Sequence, residues 1–331
     1  MSCAVILVAE TGAPALARAQ QTQASAAEAA AFAAYRRDSR LVQIPNGQSM
    51  NLYCMGTAAP TVVLEGGIGE SAFTWWTVQE RIAKLTRVCA YDRAGLGRSS
   101  PGPMPRDTRS EVGDLEALLQ AADIRPPYVL VGHSMGAYNV RLFSSRHVRD
   151  VAGMVLIDPS VENQVPVLER AAPAIAENDK QTKGFIRYCA NPDRSAEAAA
   201  RCARQAPATF PSDLAAAYVE GYGLQYFQTF LSEMESFLTV ASQQVGAERK
   251  PLGAMPFVVL TRGELSSNLP ADQAAVEWKL WNQMHDDLAK LSTAGSNRVV
   301  KGANHYIHVD KPDVVVDAVS EVVESARRQR R

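Results

Sequence analysis

Past its first residues this chain has no run of the roughly 20 apolar side chains that a membrane-spanning helix needs, so no span is expected. It also lacks an excess of either charge. Its 34 lysines and arginines face 35 aspartates and glutamates, a net of −1, which leaves no broad field to hold nucleic acid or an anionic surface. Cysteines number five, and none has the spacing of a zinc cluster. The glycine-rich run at Gly66 and Gly67 is not followed by Gly-Lys-Ser or Gly-Lys-Thr, so nothing marks a phosphate-cradling loop. What remains is a globular composition, 47% hydrophobic and 21% charged over 331 residues, with a small molecule as the expected partner.

Residues 1–20 carry a short apolar stretch from Ala4 to Ala9 and a small-x-small pattern at Ala17-Arg18-Ala19. These are features of a secretory leader, without its basic start and with an apolar run shorter than the usual ~7–15 residues. Loss of such a leader would remove Cys3 and leave Cys54, Cys89, Cys189 and Cys202 as an even set. Two disulfides fit a periplasmic or secreted protein, and four buried thiols fit a cytoplasmic one. Residues 20–35 are alanine-rich and read as a loosely held helical arm without a motif.

From Leu41 two alternating runs flank Asn46-Gly47, a hairpin signal. The apolar runs TVVLEGG, RVCAYDRAG, YVLVGHSMG, GMVLIDPS, FVVLTRG and NRVVKGANH follow, separated by helical patterns. This texture predicts an α/β fold, a mostly parallel twisted sheet flanked by helices. The rhythm breaks after Asp158. Residues 159–253 read as helices only, a cap inserted after the sixth strand, with the core at 36–158 and 254–331. Cys189 and Cys202 fall within the cap, where a bridge would staple a small unit.

In YVLVGHSMG a strand runs into Gly132-His133-Ser134-Met135-Gly136 and then a helix, the context of a G-x-S-x-G nucleophile elbow. Glycines flank the serine because a Cβ there would collide with neighbouring backbone. A serine hydroxyl is a weak nucleophile at neutral pH and needs a base, which needs an orienting carboxylate. Among five histidines, His305 follows the last apolar strand and so keeps the chain order serine, acid, histidine; His308 is the alternative base. Asp158 ends the strand GMVLIDPS and Glu264 follows FVVLTRG, giving two candidate acids. The Met135 amide, next after the serine, is one expected oxyanion donor.

Residues 41 to about 325 resemble α/β-hydrolases of the esterase and lipase kind, through LEGGIGES, YDRAGLGRSS, GHSMG and GANHYIHVDKP. The resemblance implies an α/β-hydrolase fold with a Ser-Asp-His triad. In many such relatives the acid follows the seventh strand in a GExD pattern, where this chain has Ser266; in others it follows the sixth, the place of Asp158. Asp158 is preferred and Glu264 kept as the alternative. The resemblance places the second oxyanion amide at Gly67, although Glu65 stands where relatives have histidine. Trp75 and His133 are candidate pocket residues, each also readable as packing. Asp92 is read as support for the site. Cys54 and Cys89 fall on strands adjacent in the sheet order of these relatives, so a bridge between them is implied.

The expected reaction is hydrolysis of a carboxylic ester or lactone through an acyl-enzyme, with no metal or organic cofactor. Dehalogenases and epoxide hydrolases of this resemblance need an aspartate at the elbow, which Ser134 replaces. Aminopeptidase, thioesterase and carbon–carbon hydrolase activities keep a serine and stay open, as does a non-catalytic ligand-binding homologue.

Overall fold

The β-branched runs form eight strands: β1 (Arg40–Gln43), β2 (Ser49–Met55), β3 (Thr61–Glu65), β4 (Val88–Tyr91), β5 (Tyr128–His133), β6 (Val151–Ile157), β7 (Phe257–Arg262) and β8 (Gly295–Val300). The computed structural model describes residues 15–208 and 210–329. Residues 1–14, most of the leader-like segment, lie outside the described residues.

The strands make one sheet in the order β1-β2-β4-β3-β5-β6-β7-β8. Only the β1–β2 and β2–β4 pairings are antiparallel; the others are parallel. Gly47, at φ 84°, takes the left-handed turn between β1 and β2 that a side chain would resist. Successive side chains alternate between two cores: Val129 and Val131 of β5 pack on one face, Leu130 on the other. Such burial on both faces explains why the strands read as unbroken apolar runs.

Helices connect the strands. The chain supplies α1 (Ala15–Asp38), α2 (Gln79–Ala83), α3 (Thr108–Ala121) and α4 (Gly136–Arg146) before β6. Between β6 and β7 come α5 (Gln164–Ala171), α6 (Ala174–Ala190), α7 (Ala196–Cys202), α8 (Ser212–Glu220), α9 (Leu224–Ser236) and α10 (Ser242–Glu248). A π-turn at Phe237–Ala241 joins the last two. After β7 follow α11 (Ala271–Ala289), α12 (Ile307–Asp310) and α13 (Pro312–Gln329). No helix among the described residues is long and apolar enough to cross a membrane.

The alanine-rich arm is not loose. Phe32 and Tyr35 of α1 are buried, and the Tyr35 hydroxyl donates to Asp92, which also accepts from the Asn51 amide and the Ala72 and Arg98 backbone. An aromatic pair three residues apart on one helical face was the available signal.

Both cysteine pairs are bridged. Cys54 and Cys89 face each other across β2 and β4 with Cα atoms 4.0 Å apart, and Cys189 and Cys202 close a loop between α6 and α7. Closing loops with sequence separations of 35 and 13 residues is worth about 4 and about 3 kcal/mol by loop entropy. At ~2 °C per kcal/mol for a chain of this size, dithiothreitol is expected to lower Tm by at least about 5 °C. An unchanged melting curve in reductant would contradict this.

Candidate active site

The C-terminal ends of the parallel strands meet at one edge of the sheet, and the chemistry-bearing side chains gather there. β5 ends at His133, and Ser134 follows with φ 52°, a left-handed conformation that costs a non-glycine residue about 1–2 kcal/mol. Its backbone is over-determined: the Ser134 amide donates to Ile157 O at 3.1 Å, and its carbonyl accepts from the Ser160 amide at 2.9 Å. A Cβ on Gly136 would stand 2.4 Å from Gly66 O, which is why the elbow needs glycine there. Ser134 Oγ is buried and has no hydrogen-bond partner among the described residues.

His305 leaves the loop after β8 and directs Nδ1 at Asp158 Oδ2, 2.6 Å away. Asp158 is fully buried. Its Oδ1 accepts from the Trp281 indole at 2.7 Å and the Arg262 amide at 3.1 Å, and its Oδ2 also accepts from Arg262 Nη1 at 3.0 Å. Burial opposes ionisation of this carboxyl, but the Arg262 guanidinium and His305 outweigh it and hold the group well below the usual carboxylate range. Burial likewise pushes His305 below its ordinary value of 6.5, and the Asp158 bond only partly restores it. Of the two candidate acids, the structure therefore brings Asp158 to His305. Glu264 is exposed and accepts from the Gly302 amide. His308, the alternative base, lies buried behind the site against Trp75, ring centroids 4.7 Å apart.

The loop after β3 departs from expectation. The Gly67 amide, the expected second oxyanion donor, donates to Glu70 Oε2 at 2.6 Å. Glu70 folds back over the loop that carries it and also meets His133 Nδ1 at 3.1 Å. Burial would raise the Glu70 carboxyl, but the charge and hydrogen bond of His133 prevail and hold it at about 2. Trp75 and His133 do not line the cavity beside Ser134. Trp75 is wholly buried in the core, and His133 gives its second nitrogen, Nε2, to His305 O at 3.0 Å.

Glu65, in place of the relatives' histidine, is neutralised from the side. Arg93 donates to Glu65 at 3.0 Å, to Glu233 of α9 at 2.9 and 3.1 Å, and to the Gly66 and Gly67 carbonyls. Glu233 also accepts from the Gly69 amide at 2.7 Å. A third carboxylate, Glu111, lies 3.6 Å from Arg93; burial and the Glu233 charge push it well above the ordinary range. One guanidinium thus ties α9 to the glycine-rich loop.

Ser134, Met135 and His305 open onto a cavity of about 40 Å³, with walls that include Ile68, Phe230, Met234, Phe237 and Leu238. A serine on a strand-to-helix elbow shares this cavity wall with a carboxylate-bound histidine, and residues 62–318 match the Alpha/beta hydrolase family. The chain belongs to that family. The protein YqjL of Bacillus subtilis (strain 168) is 27% identical over 267 residues, covering 81% of this chain and 85% of that protein. The enol-lactonase of Burkholderia xenovorans LB400 superposes with a TM-score of 0.56 at 18% identity, over 86% of this chain and 100% of that one. A thermophilic esterase of Thermogutta terrifontis superposes with a TM-score of 0.55 at 18% identity, over 87% and 98% of the two chains. At these identities the structural likeness is one of fold.

In this alpha/beta hydrolase the acid of the histidine pair is held by residues the sequence reading did not single out. Arg262 ends β7, and its guanidinium is shared between Asp158 and Glu277 of α11, the latter at 2.5 Å. Glu277 and Trp281 stand four residues apart on one face of α11, a spacing visible in AAVEWKLW. Glu70 carried a fainter sign, an acid three residues beyond Gly67 in a glycine-rich loop.

Proposed function

We propose that this alpha/beta hydrolase cleaves carboxylic esters or lactones through an acyl-enzyme. The observation that carries the reading is the 2.6 Å bond from His305 Nδ1 to Asp158, with His305 and Ser134 on the wall of one mostly apolar cavity. Ser134 Oγ attacks the carbonyl carbon and its proton passes to His305 Nε2. His305 returns that proton to the leaving alcohol, and water then releases the acid by the same route reversed. The Met135 amide is the first oxyanion donor. Gly67 becomes the second when the substrate oxygen displaces the Glu70 carboxylate from its amide.

The unpartnered Ser134 hydroxyl agrees with this reading, because catalytic hydrogen bonds in empty sites often form only with substrate. The enol-lactonase and the esterase share the fold, which is consistent with ester and lactone substrates. We assign residues 36–158 and 254–331 to the core and 159–253 to a cap over the cavity. The two disulfides support a periplasmic or secreted location.

The deciding experiment is labelling with a fluorophosphonate probe alongside turnover of p-nitrophenyl acetate. An adduct on Ser134 with turnover supports the reading; neither would make the chain a ligand-binding homologue. His305 must be neutral to act as base, so activity falls as pH drops through its pKa, which lies below the ordinary 6.5. The acid limb of kcat/KM is therefore expected below pH 6.5. Arg262 is one of the cations that press His305 down, so Arg262→Met is expected to move that limb to higher pH. A limb that stays put or moves lower would refute the coupling.

A further inference from the structure

Behind Gly67 and Ser134, three side chains converge that the proposed hydrolysis does not use as acid, base or nucleophile. They are Glu70, His133 and His308, whose ligand atoms all lie within 4.8 Å of one another. Their hydrogen bonding is incomplete in a particular way. His133 Nε2 faces the His305 backbone carbonyl and His133 Nδ1 faces the Glu70 carboxylate, and both are acceptors, so the ring must donate twice. His308 Nε2 is 3.2 Å from Thr74 Oγ1, while His308 Nδ1 is buried with no partner among the described residues. A proton on His133 satisfies two of the three groups and leaves that nitrogen unmatched, at a desolvation cost of about 1–3 kcal/mol. A divalent cation in place of the Nδ1 proton satisfies all three.

We propose that Glu70, His133 and His308 form a binding site for a late first-row divalent cation, with Zn²⁺ the best match to two imidazoles and one carboxylate. The imidazoles are prepared as ligands: each has its Nε2 engaged outside the cluster, the arrangement that fixes ring orientation in histidine metal sites. A tetrahedral site with bonds of about 2.0–2.2 Å sets ligand atoms roughly 3.3–3.5 Å apart. The three atoms, now within 4.8 Å, close that gap by turning two rings and a carboxylate. Glu70 also lines the cavity with Ser134 and His305, which gives the ion a way in. Harder cations such as Mg²⁺ and Ca²⁺ want all-oxygen surroundings that this cluster does not offer.

The test reads the ion directly and does not depend on hydrolysis. Tag-free full-length protein with its disulfides intact is dialysed against EDTA and titrated with Co²⁺ by visible absorption, then with Zn²⁺ by calorimetry. One equivalent is expected to bind, with Co²⁺ bands of low coordination number. Glu70→Gln and His308→Gln are each expected to weaken binding at least about tenfold. Wild-type protein that takes up no Co²⁺ overturns the site whatever the variants do. Equal affinity in wild type and in both variants, each shown folded by circular dichroism, overturns it too and makes Glu70 and His133 a buried ion pair.

Discussion

Ser134→Ala is expected to lower kcat for p-nitrophenyl acetate by about 10⁶-fold, the scale at which removal of a nucleophile disables a serine triad. In the proposed reaction the Ser134 hydroxyl supplies the electron pair to the carbonyl, His305 takes its proton, and the amide donors hold the oxyanion. The alanine variant keeps the backbone bonds from the Ser134 amide and carbonyl, and the hydroxyl it loses had no hydrogen-bond partner. Its melting temperature is therefore expected to stay at or above that of the wild type. A variant that folds and still turns over ester within tenfold of wild type would remove Ser134 from the mechanism.

The second large effect separates the two acids. Asp158→Asn is expected to lower kcat about 10⁴-fold, because an amide in that place favours the wrong imidazole tautomer. Glu264→Gln, on an exposed side chain bonded to the Gly302 amide, is expected to change kcat less than about threefold. The asparagine also uncovers the Arg262 guanidinium, which keeps Glu277 as partner, so a thermal melt must accompany the kinetics. The reverse pattern, with asparagine tolerated at 158 and glutamine fatal at 264, would transfer the acid's role to Glu264.

What was legible in the sequence follows from short-range chemistry. Strands buried on both faces announce themselves as apolar runs, and the elbow is marked by glycines that local crowding demands. His305 was readable from its place after the last strand, whereas Asp158 and Glu264 both follow strand ends and only the resemblance ranked them. The rest depends on partners far apart in the chain. Arg93 and Glu233 are 140 residues apart, and Arg262 reaches across 104 residues to Asp158. Nothing near either residue tells which carboxylate it meets. Gly67 was readable as a loop glycine, but the direction of its amide was decided by Glu70, whose side chain folds back only because His133 lies across from it. The α1 arm failed for a related reason: its alanines dominate the composition, whereas Phe32 and Tyr35 decide its place.

The tie between Arg93 and Glu233 also fixes one wall of the cavity beside Ser134, because Phe230 and Met234 of the same helix line it. The void there, about 40 Å³, has room for about three waters, and its walls include the glycine-rich loop, α6 and α9. Moving α9 would break the buried pair of Arg93 with Glu233, at a cost of about 3–5 kcal/mol. α6 packs on α9 through Ile186, Cys189 and Ala190, which share one apolar cluster with Phe227, Phe230 and Met234, so the two helices form one wall. One guanidinium thus holds loop and wall together, and the chamber keeps its shape on that side.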